Sequence, residues 1–384
     1  MALRTIRSIG VKGKTVLVRV DFNVPLRDGK VASDKRIRAA IPTIRKLIEK
    51  GAKQLILVSH LGRPKGKRDE SYSLAPVAKK LQSLLKEKVF FVPDCMEVII
   101  PDPSDFKIVL LENLRFYPEE KDDDAAFAKQ LASYADVYVN DAFGTSHRKH
   151  ASVHAVTRYL PSAAGLLLES ELKNLDLSKT KRPLVVIMGG AKVSDKIGVI
   201  KNVVKKADTV LIGGAMMFTF YRAMGYETGK SLVEEDKLDL AKKLLSGSKK
   251  KIMLPVDMVA ASSTNATARM KTLPVDKHPK NMMGLDIGPE TVEIYTSVLK
   301  QAKTIIWNGP MGLFEQKPFD KGTNAIAKML AASPAKTIVG GGDSVAAVEK
   351  LKLSKKMDHI STGGGASLEL LEGKTLPAVK ALLR

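Results

Sequence analysis

Leu184-Val185-Val186-Ile187-Met188-Gly189-Gly190-Ala191-Lys192-Val193-Ser194-Asp195-Lys196 is the stretch that decides the fold. An unbroken apolar run suits a strand buried on both faces, the glycine pair suits a tight turn, and a helix-like pattern follows. The same order recurs in four more places: Val210 to Ile212 before Gly213-Gly214, Thr304 to Trp307 before Asn308-Gly309-Pro310, Thr337 to Val339 before Gly340-Gly341-Gly342, and His359 to Thr362 before Gly363-Gly364-Gly365. In a parallel sheet all these turns share the edge at the carboxyl ends of the strands, where ligands of open α/β sheets bind. Glycine lets backbone approach a ligand closely, and helix starts beyond the turns offer unpaired N–H groups and positive dipole ends to phosphate.

Outward from that stretch, the amino-terminal half follows the same grammar. Thr15 to Val20, Gln54 to Ser59, Lys107 to Leu111 and Val137 to Val139 read as buried strands separated by helix-like stretches, which predicts βαβ units and a second parallel sheet. The alternation breaks at Leu166 to Lys181, where Glu169, Glu171, Lys173 and Asp176 mark a polar connecting helix ending near Pro183. A chain of 384 residues has room for two domains. The expected division is 1–168, a linker at 169–182, and 183–370.

Composition narrows the function classes. With 44% hydrophobic and 27% charged residues the chain is neither disordered nor fibrous. Cys95 is the only cysteine, which excludes a disulfide scaffold and suits a reducing, cytoplasmic compartment. No apolar run approaches the ~18 residues of a membrane span, and Met1-Ala2-Leu3-Arg4 leads into no signal-peptide core, so no membrane partner is expected. Sixty-three Lys and Arg against 41 Asp and Glu give a net charge of +22, a balance that attracts polyanions. The excess is spread along the chain, and runs such as Lys249-Lys250-Lys251 and Lys205-Lys206 lack interleaved aromatics. That describes a solvated basic surface capable of weak non-specific polyanion binding, with no specific nucleic-acid site.

Several residues carry candidate chemistry. Lys192 and Lys196 sit four apart after Gly189-Gly190, so on a helix they share one face near its amino terminus, where two cations suit a phosphate between them. Asp343 follows the Gly340 to Gly342 turn; it suits either a helix N-cap or Mg²⁺, an ion that binds through one or two carboxylates and substrate phosphates. In the first half, Asp21, Asn23, Arg36, His60, Arg63, Arg115 and Arg148 fall near polar strand ends. Arginine forks at such places suit a small anion held bidentately. Two patterns are decoys. Gly225 to Ser231 resembles a phosphate loop but has one residue too few between its glycines and follows a helix-like segment, and His147, His150 and His154 have metal-like spacing without an accompanying Cys or carboxylate.

The segments Arg19 to Pro25, Ser59 to Pro64, Glu112 to Phe116, Val139 to Gly144, Gly189 to Val193, Trp307 to Gly312, Gly340 to Asp343 and Ser361 to Ala366 resemble, in order, the motifs of the phosphoglycerate kinase family, and the match runs from about Thr5 to Leu382. The resemblance implies two doubly wound, Rossmann-like α/β lobes facing across a cleft and joined by a connecting helix, with the tail 371–384 returning to the first lobe, and a monomer. It implies 3-phosphoglycerate or 1,3-bisphosphoglycerate on Asp21, Asn23, Arg36, His60, Arg63, Arg115 and Arg148. It implies ADP or ATP on Lys196, Gly213, Gly214, Gly284, Leu285, Asn308, Glu315, Gly341, Gly342, Asp343 and Ser344, with Mg²⁺ at Asp343. The implied catalytic set is Arg36, Lys192, Lys196, Gly342 and Gly364, acting by charge stabilisation after lobe closure. Against the family pattern, Ala215 replaces a glycine and Met217 a smaller residue, for which a tighter adenine pocket is expected; Ser344 replaces a threonine but keeps the hydroxyl, and Ala260 to Asn281, a wall of the nucleotide site, is shorter than usual and weakly matched.

Overall fold

The computed structural model describes residues 3–248, 250–265 and 267–383; Lys249 of the basic run lies outside them. The chain divides into two compact units, Met1–Lys173 with Thr375–Arg384, and Asn174–Lys374.

The first unit is built on strands β1 (Thr15–Arg19), β4 (Gln54–Val58), β5 (Val89–Val92), β6 (Ile108–Leu111), β7 (Val137–Asn140) and β8 (Ser162–Ala164), with a small hairpin of β2 (Leu26–Arg27) and β3 (Lys30–Val31) beside them. The six pair in the order β5-β6-β4-β1-β7-β8, every pair parallel. Alternation along β1 sorts the core into two layers. Val16 and Val18 pack with Ile37 and Ile44 of α1 (Lys35–Glu49) and Leu81 of α2 (Ala75–Leu85), whereas Leu17 faces Phe127 and Leu131 of α3 (Ala125–Ser133). Helices on both faces are what continuous apolar strands require. β5 and β8 escape the sequence reading because β5 is only partly buried and Ser162-Ala163-Ala164 lacks large apolar residues. Helix α4 (Leu166–Leu175) then carries the chain out of this unit, and α12 (Pro377–Lys380) belongs to it through the bond from Ala378 N–H to the Ser146 carbonyl.

In the second unit β9 (Leu184–Met188), β10 (Thr209–Ile212), β11 (Ile252–Met253), β15 (Thr304–Asn308), β16 (Lys336–Gly340) and β17 (His359–Ile360) pair in the order β11-β10-β9-β15-β16-β17, again all parallel. All the glycine turns anticipated from the sequence therefore follow strands of one parallel sheet. A separate antiparallel sheet, β13-β12-β14, from β12 (Asp257–Ala261), β13 (Met270–Pro274) and β14 (Met283–Ile287), was not anticipated; it accounts for the segment Ala260 to Asn281.

Helices α5 (Ile197–Lys206), α6 (Met216–Ala223), α7 (Leu238–Gly247), α8 (Pro289–Gln301), α9 (Lys321–Ala332), α10 (Gly342–Lys350) and α11 (Gly365–Leu371) complete the unit. Three local expectations are corrected. Lys192 and Lys196 do not share a helix face: Lys192 lies in an irregular bend and Lys196 ends a short 3₁₀ turn, because α5 begins only at Ile197. No helix follows Pro310 directly, the chain running through Met311 to Asp320 before α9. Asp343 is not the N-cap of α10; Gly341 occupies that position at φ +84°, where a side chain would be strained.

Candidate functional site

The carboxyl edge of the first sheet gathers charge in a place where burial should exclude it. Arg19 ends β1 and is fully buried. Its Nε donates to Ser152 Oγ at 2.8 Å, one Nη to the Val20 carbonyl, and Nη2 lies 3.1 Å from His60 Nδ1. Glu120, equally buried, accepts from Ser152 Oγ at 2.7 Å and Ser152 N–H at 2.9 Å, with Arg19 Nη2 3.9 Å away. Arg36, near the start of α1, donates to Asp21 Oδ2 at 2.7 Å. The loop after β4 is pinned at Gly62, whose N–H donates to Asn23 Oδ1 at 2.9 Å and whose carbonyl accepts from Arg115 Nη1 at 2.7 Å. Gly62 sits at φ +64° against the Tyr72 ring, so no other residue fits. Asn113 fastens the same loop through Leu61 N–H and the Leu61 carbonyl.

Electrostatics show what this cluster lacks. Burial, then the charges of Arg19, Arg115, Arg36 and Arg148, hold His60 well below its ordinary range. His150 is pulled to about 3 by burial and then by Arg115, Arg19 and Arg148, and Arg115 to about 10 by burial and then by Arg19 and Arg148. Two carboxylates, Asp21 and Glu120, face four arginines. Arg115 Nε is buried without a hydrogen-bond partner among the described residues. An excess of desolvated cations with an unpaired donor is a receptor for a small polyvalent anion. Of the residues expected from sequence, Asp21, Asn23, Arg36, His60, Arg115 and Arg148 converge here, whereas Arg63 is exposed and only adjoins Gly62. Arg19, Glu120, Ser152 and His150 were missed as site residues. The one usable signal was a charge, Arg19, inside an otherwise apolar strand. The three histidines of the decoy form no shared metal cluster among the described residues: His154 Nδ1 lies 2.7 Å from Asp123, His147 Nε2 accepts from Arg148, and His150 Nδ1, 3.8 Å from Glu120, makes no hydrogen bond to a described residue.

The glycine edge of the second unit holds a cleft of about 290 Å³. Apolar walls come from Met217, Phe218, Leu232, Leu285 and Leu313, and backbone forms the floor at Gly190, Gly214 and Gly284, with Ala215, Glu315 and Asp343 also lining it. The Phe218 ring packs directly on Gly284, where a Cβ would collide with it. Such a slot suits a planar heterocycle. Ala215 and Met217 both line it.

At its inner end Lys196 turns back toward the sheet. Its Nζ donates to the Gly189 carbonyl at 2.6 Å, the Asn308 carbonyl at 3.0 Å and Asn308 Oδ1 at 2.8 Å. An ammonium has three donors, and all are engaged. Asn308 Nδ2 is buried and has no partner among the described residues, a free donor beside Gly340 and Gly341. Gly309 lies at φ +99° where a Cβ would strike the Gly189 carbonyl and Lys196 Nζ, so Lys196 reaches the sheet only because position 309 is glycine. Ser344 spends its hydroxyl on Gly309 N–H at 2.5 Å, and Gly213 abuts the Met311 sulfur. Gly342 and Asp343 are exposed in the first turn of α10, and Gly364 stands at φ +48° at the N-cap of α11. Lys192 is exposed on the bend before Lys196. Sequence reasoning missed Asp286, which also lines the cleft and accepts from Gly322 N–H at 2.7 Å.

Burial brings the Lys196 ammonium down to about 8, against the opposing pull of Asp343 and Asp195. A lowered lysine is cationic below that value and neutral above it, so its attraction for phosphate fades as pH rises through 8. The KM for a nucleotide should accordingly climb several-fold between pH 7 and 9, and Lys196→Arg, which stays charged, should flatten the rise.

Both sites sit at the carboxyl ends of parallel strands, one shaped for a polyvalent anion and one for a nucleotide, which defines a phosphate-handling α/β enzyme. The family model described as phosphoglycerate kinase matches residues 6–374. The curated phosphoglycerate kinase of Pelotomaculum thermopropionicum is 53% identical over 392 residues, covering 100% of both chains, and that of Gloeothece citriformis is 55% identical over 386 residues, covering 97% of this chain and 96% of its own. The solved phosphoglycerate kinase of Coxiella burnetii superposes with a TM-score of 0.92 at 40% identity, covering 99% of each chain, and that of Pyrococcus horikoshii with 0.83 at 32%, covering 99% of this chain and 98% of its own. The chain belongs to the phosphoglycerate kinase family.

Proposed function

We infer that the chain catalyses reversible phosphoryl transfer between the acyl phosphate of 1,3-bisphosphoglycerate and ADP, giving 3-phosphoglycerate and ATP. The observation that carries the mechanism is the pairing of an under-neutralised arginine cluster on one sheet edge with a glycine-floored slot ending at Lys196 on another.

The chemistry needs no general base. The attacking oxygen belongs to an ionised phosphate, or in reverse to an ionised carboxylate, so no proton has to leave. What remains is alignment and stabilisation of charge spread over the transferring group in a loose, in-line transition state. Arg36, Asp21, Asn23, His60, Arg63, Arg115 and Arg148 hold the glycerate phosphate and carboxylate. The slot of Gly213, Gly214, Gly284 and Leu285 takes the adenine, Glu315 the ribose, and Asn308 with Gly341 to Ser344 the phosphates. Arg36, Lys192, Lys196 and the backbone N–H groups at Gly342 and Gly364 supply positive charge to the transferring group.

Mg²⁺ fits the one exposed carboxylate at the α10 start, since this ion takes one or two protein carboxylates and keeps its remaining contacts for phosphate and water. Asp343 would hold it, and bound there it would neutralise nucleotide phosphate charge. The same reading makes the enzyme a cytoplasmic monomer; no helix among the described residues is long and apolar enough to cross a membrane.

The test is reverse-direction turnover: Mg-ATP and 3-phosphoglycerate, with product drawn off by glyceraldehyde-phosphate dehydrogenase and NADH loss recorded. Wild type should turn over rapidly. Arg36→Ala should lose about 10²-fold or more in kcat, with nucleotide affinity unchanged. Silence of the wild type with every nucleotide and with Mg²⁺ or Mn²⁺ would refute the assignment.

A further inference from the structure

The contact between Arg19 and His60 has a chemical consequence for the anion site. A guanidinium carries donors only and does not lose its proton. Arg19 Nη2, 3.1 Å from His60 Nδ1, therefore requires a lone pair on Nδ1, which puts the ring proton on Nε2. A protonated ring would turn Nδ1–H against an N–H of Arg19, two donors facing each other.

Arg19 is held in this pose from every side. Ser152 Oγ takes its Nε, the Val20 carbonyl one Nη, and Glu120 lies 3.9 Å from Nη2 while binding Ser152 twice. Arg19, His60, Ser152 and Glu120 are all at least nine-tenths buried, so the arrangement has little freedom to swing. The charged groups around His60 are Arg19 on β1, Arg36 on α1, and Arg115 and Arg148 in the loops after β6 and β7, with Asp21 committed to Arg36 and Glu120 to Ser152. His150 in the same cluster is neutral for the same reasons. No described residue pairs with His60 Nε2, leaving that N–H as the one hydrogen bond the ring can still make.

We propose that Arg19 is a positioning residue for the anion: by occupying Nδ1 it fixes His60 as a neutral ring that serves the bound phosphoglycerate as an Nε2–H donor and never as a cation. Positive charge in this site is then supplied by arginines alone, and His60 contributes direction. The proposal rests on the assignment of this cluster to 3-phosphoglycerate only for the identity of the acceptor; the tautomer is a property of the unliganded chain.

Side-chain ¹⁵N correlation spectra of the full-length protein, with His60 assigned from His60→Gln, test it directly. The expected pattern is the neutral Nε2–H tautomer from pH 5.5 to 8 without a titration midpoint. An Nδ1–H tautomer, or a midpoint between pH 5.5 and 7.5, overturns the proposal. In kinetics, His60→Gln keeps an amide N–H close to the Nε2 position, whereas His60→Asn places its amide near Nδ1; the KM for 3-phosphoglycerate should rise less than about 5-fold in the first and by at least 10-fold in the second, with nucleotide KM unchanged in both. Equal losses overturn the directional role. Arg19→Met with Glu120→Gln removes both buried charges together, and if folded should give a mixed tautomer at His60. A purely structural role for Arg19 would leave the tautomer unchanged. If wild type shows the Nε2–H ring but no turnover with 3-phosphoglycerate, the functional assignment fails and the positioning role for another anion stands.

Discussion

Replacing Lys196 with methionine is expected to lower kcat by about 10³-fold while leaving KM for 3-phosphoglycerate within about 2-fold. The stem is nearly isosteric, so the change removes a charge and three hydrogen bonds, those to the Gly189 carbonyl, the Asn308 carbonyl and Asn308 Oδ1. The magnitude follows from what the reaction requires. With no proton to move, catalysis is alignment and charge stabilisation, and one preorganised cation at the transferring group is worth several kcal/mol. Stability should fall by only about 1–3 kcal/mol, since backbone carbonyls lose partners while a desolvated cation is also removed. Reverse-direction kinetics and a thermal melt on the same preparation separate the two effects. A loss in kcat smaller than 10-fold would place the transition-state charge elsewhere.

Glu120→Ala should damage the fold more than any single change in the glycine cleft. Glu120 is fully buried and holds Ser152 through two hydrogen bonds, and it is the carboxylate nearest Arg19. Burial pushes its pKa up and the Arg19 charge pulls it down, a measure of how closely the pair depends on each other. Truncation leaves the buried Arg19 guanidinium without its nearest carboxylate, at a cost of about 3–5 kcal/mol. For a unit of this size that corresponds to a fall of roughly 10 °C in melting temperature. Glu120→Gln, which keeps the Ser152 contacts, should lose less. If Glu120→Ala melts within 2 °C of wild type, the network does not carry the burden assigned to it.

Five of the six strands of the second sheet were legible because each runs into a glycine turn, a pattern with few other causes, whereas β11 is two residues long, has no glycine after it and was missed. Lys196 was legible by its place after Gly189-Gly190, but its company was not. Four-residue spacing put Lys192 beside it only if a helix began at once, and α5 begins later. The antiparallel sheet was hidden because Met270 to Pro274 is mostly exposed and Met283 to Ile287 half-buried, so neither reads as a continuous apolar run. In the first unit the arginines near strand ends were visible as types. Arg19 was not, since it sits in a run that otherwise reads as core, and Glu120 and Ser152 matter only through it. Short-range pattern reveals which edge binds ligand; long-range pairing, such as residue 19 with 120 and 152, has no local signature.

The engagement of all three Lys196 donors makes the proposed nucleotide site one in which a ligand competes with partners already in place. A stray sulfate or inorganic phosphate must displace carbonyl partners already in good geometry and receives little beyond the exchange. A nucleotide brings several phosphate oxygens on one scaffold, together with a base for the slot beside Phe218, so the same displacement is shared across many contacts. On the proposed assignment the cleft is a threshold filter, favouring a ligand that satisfies its whole length over a simple anion.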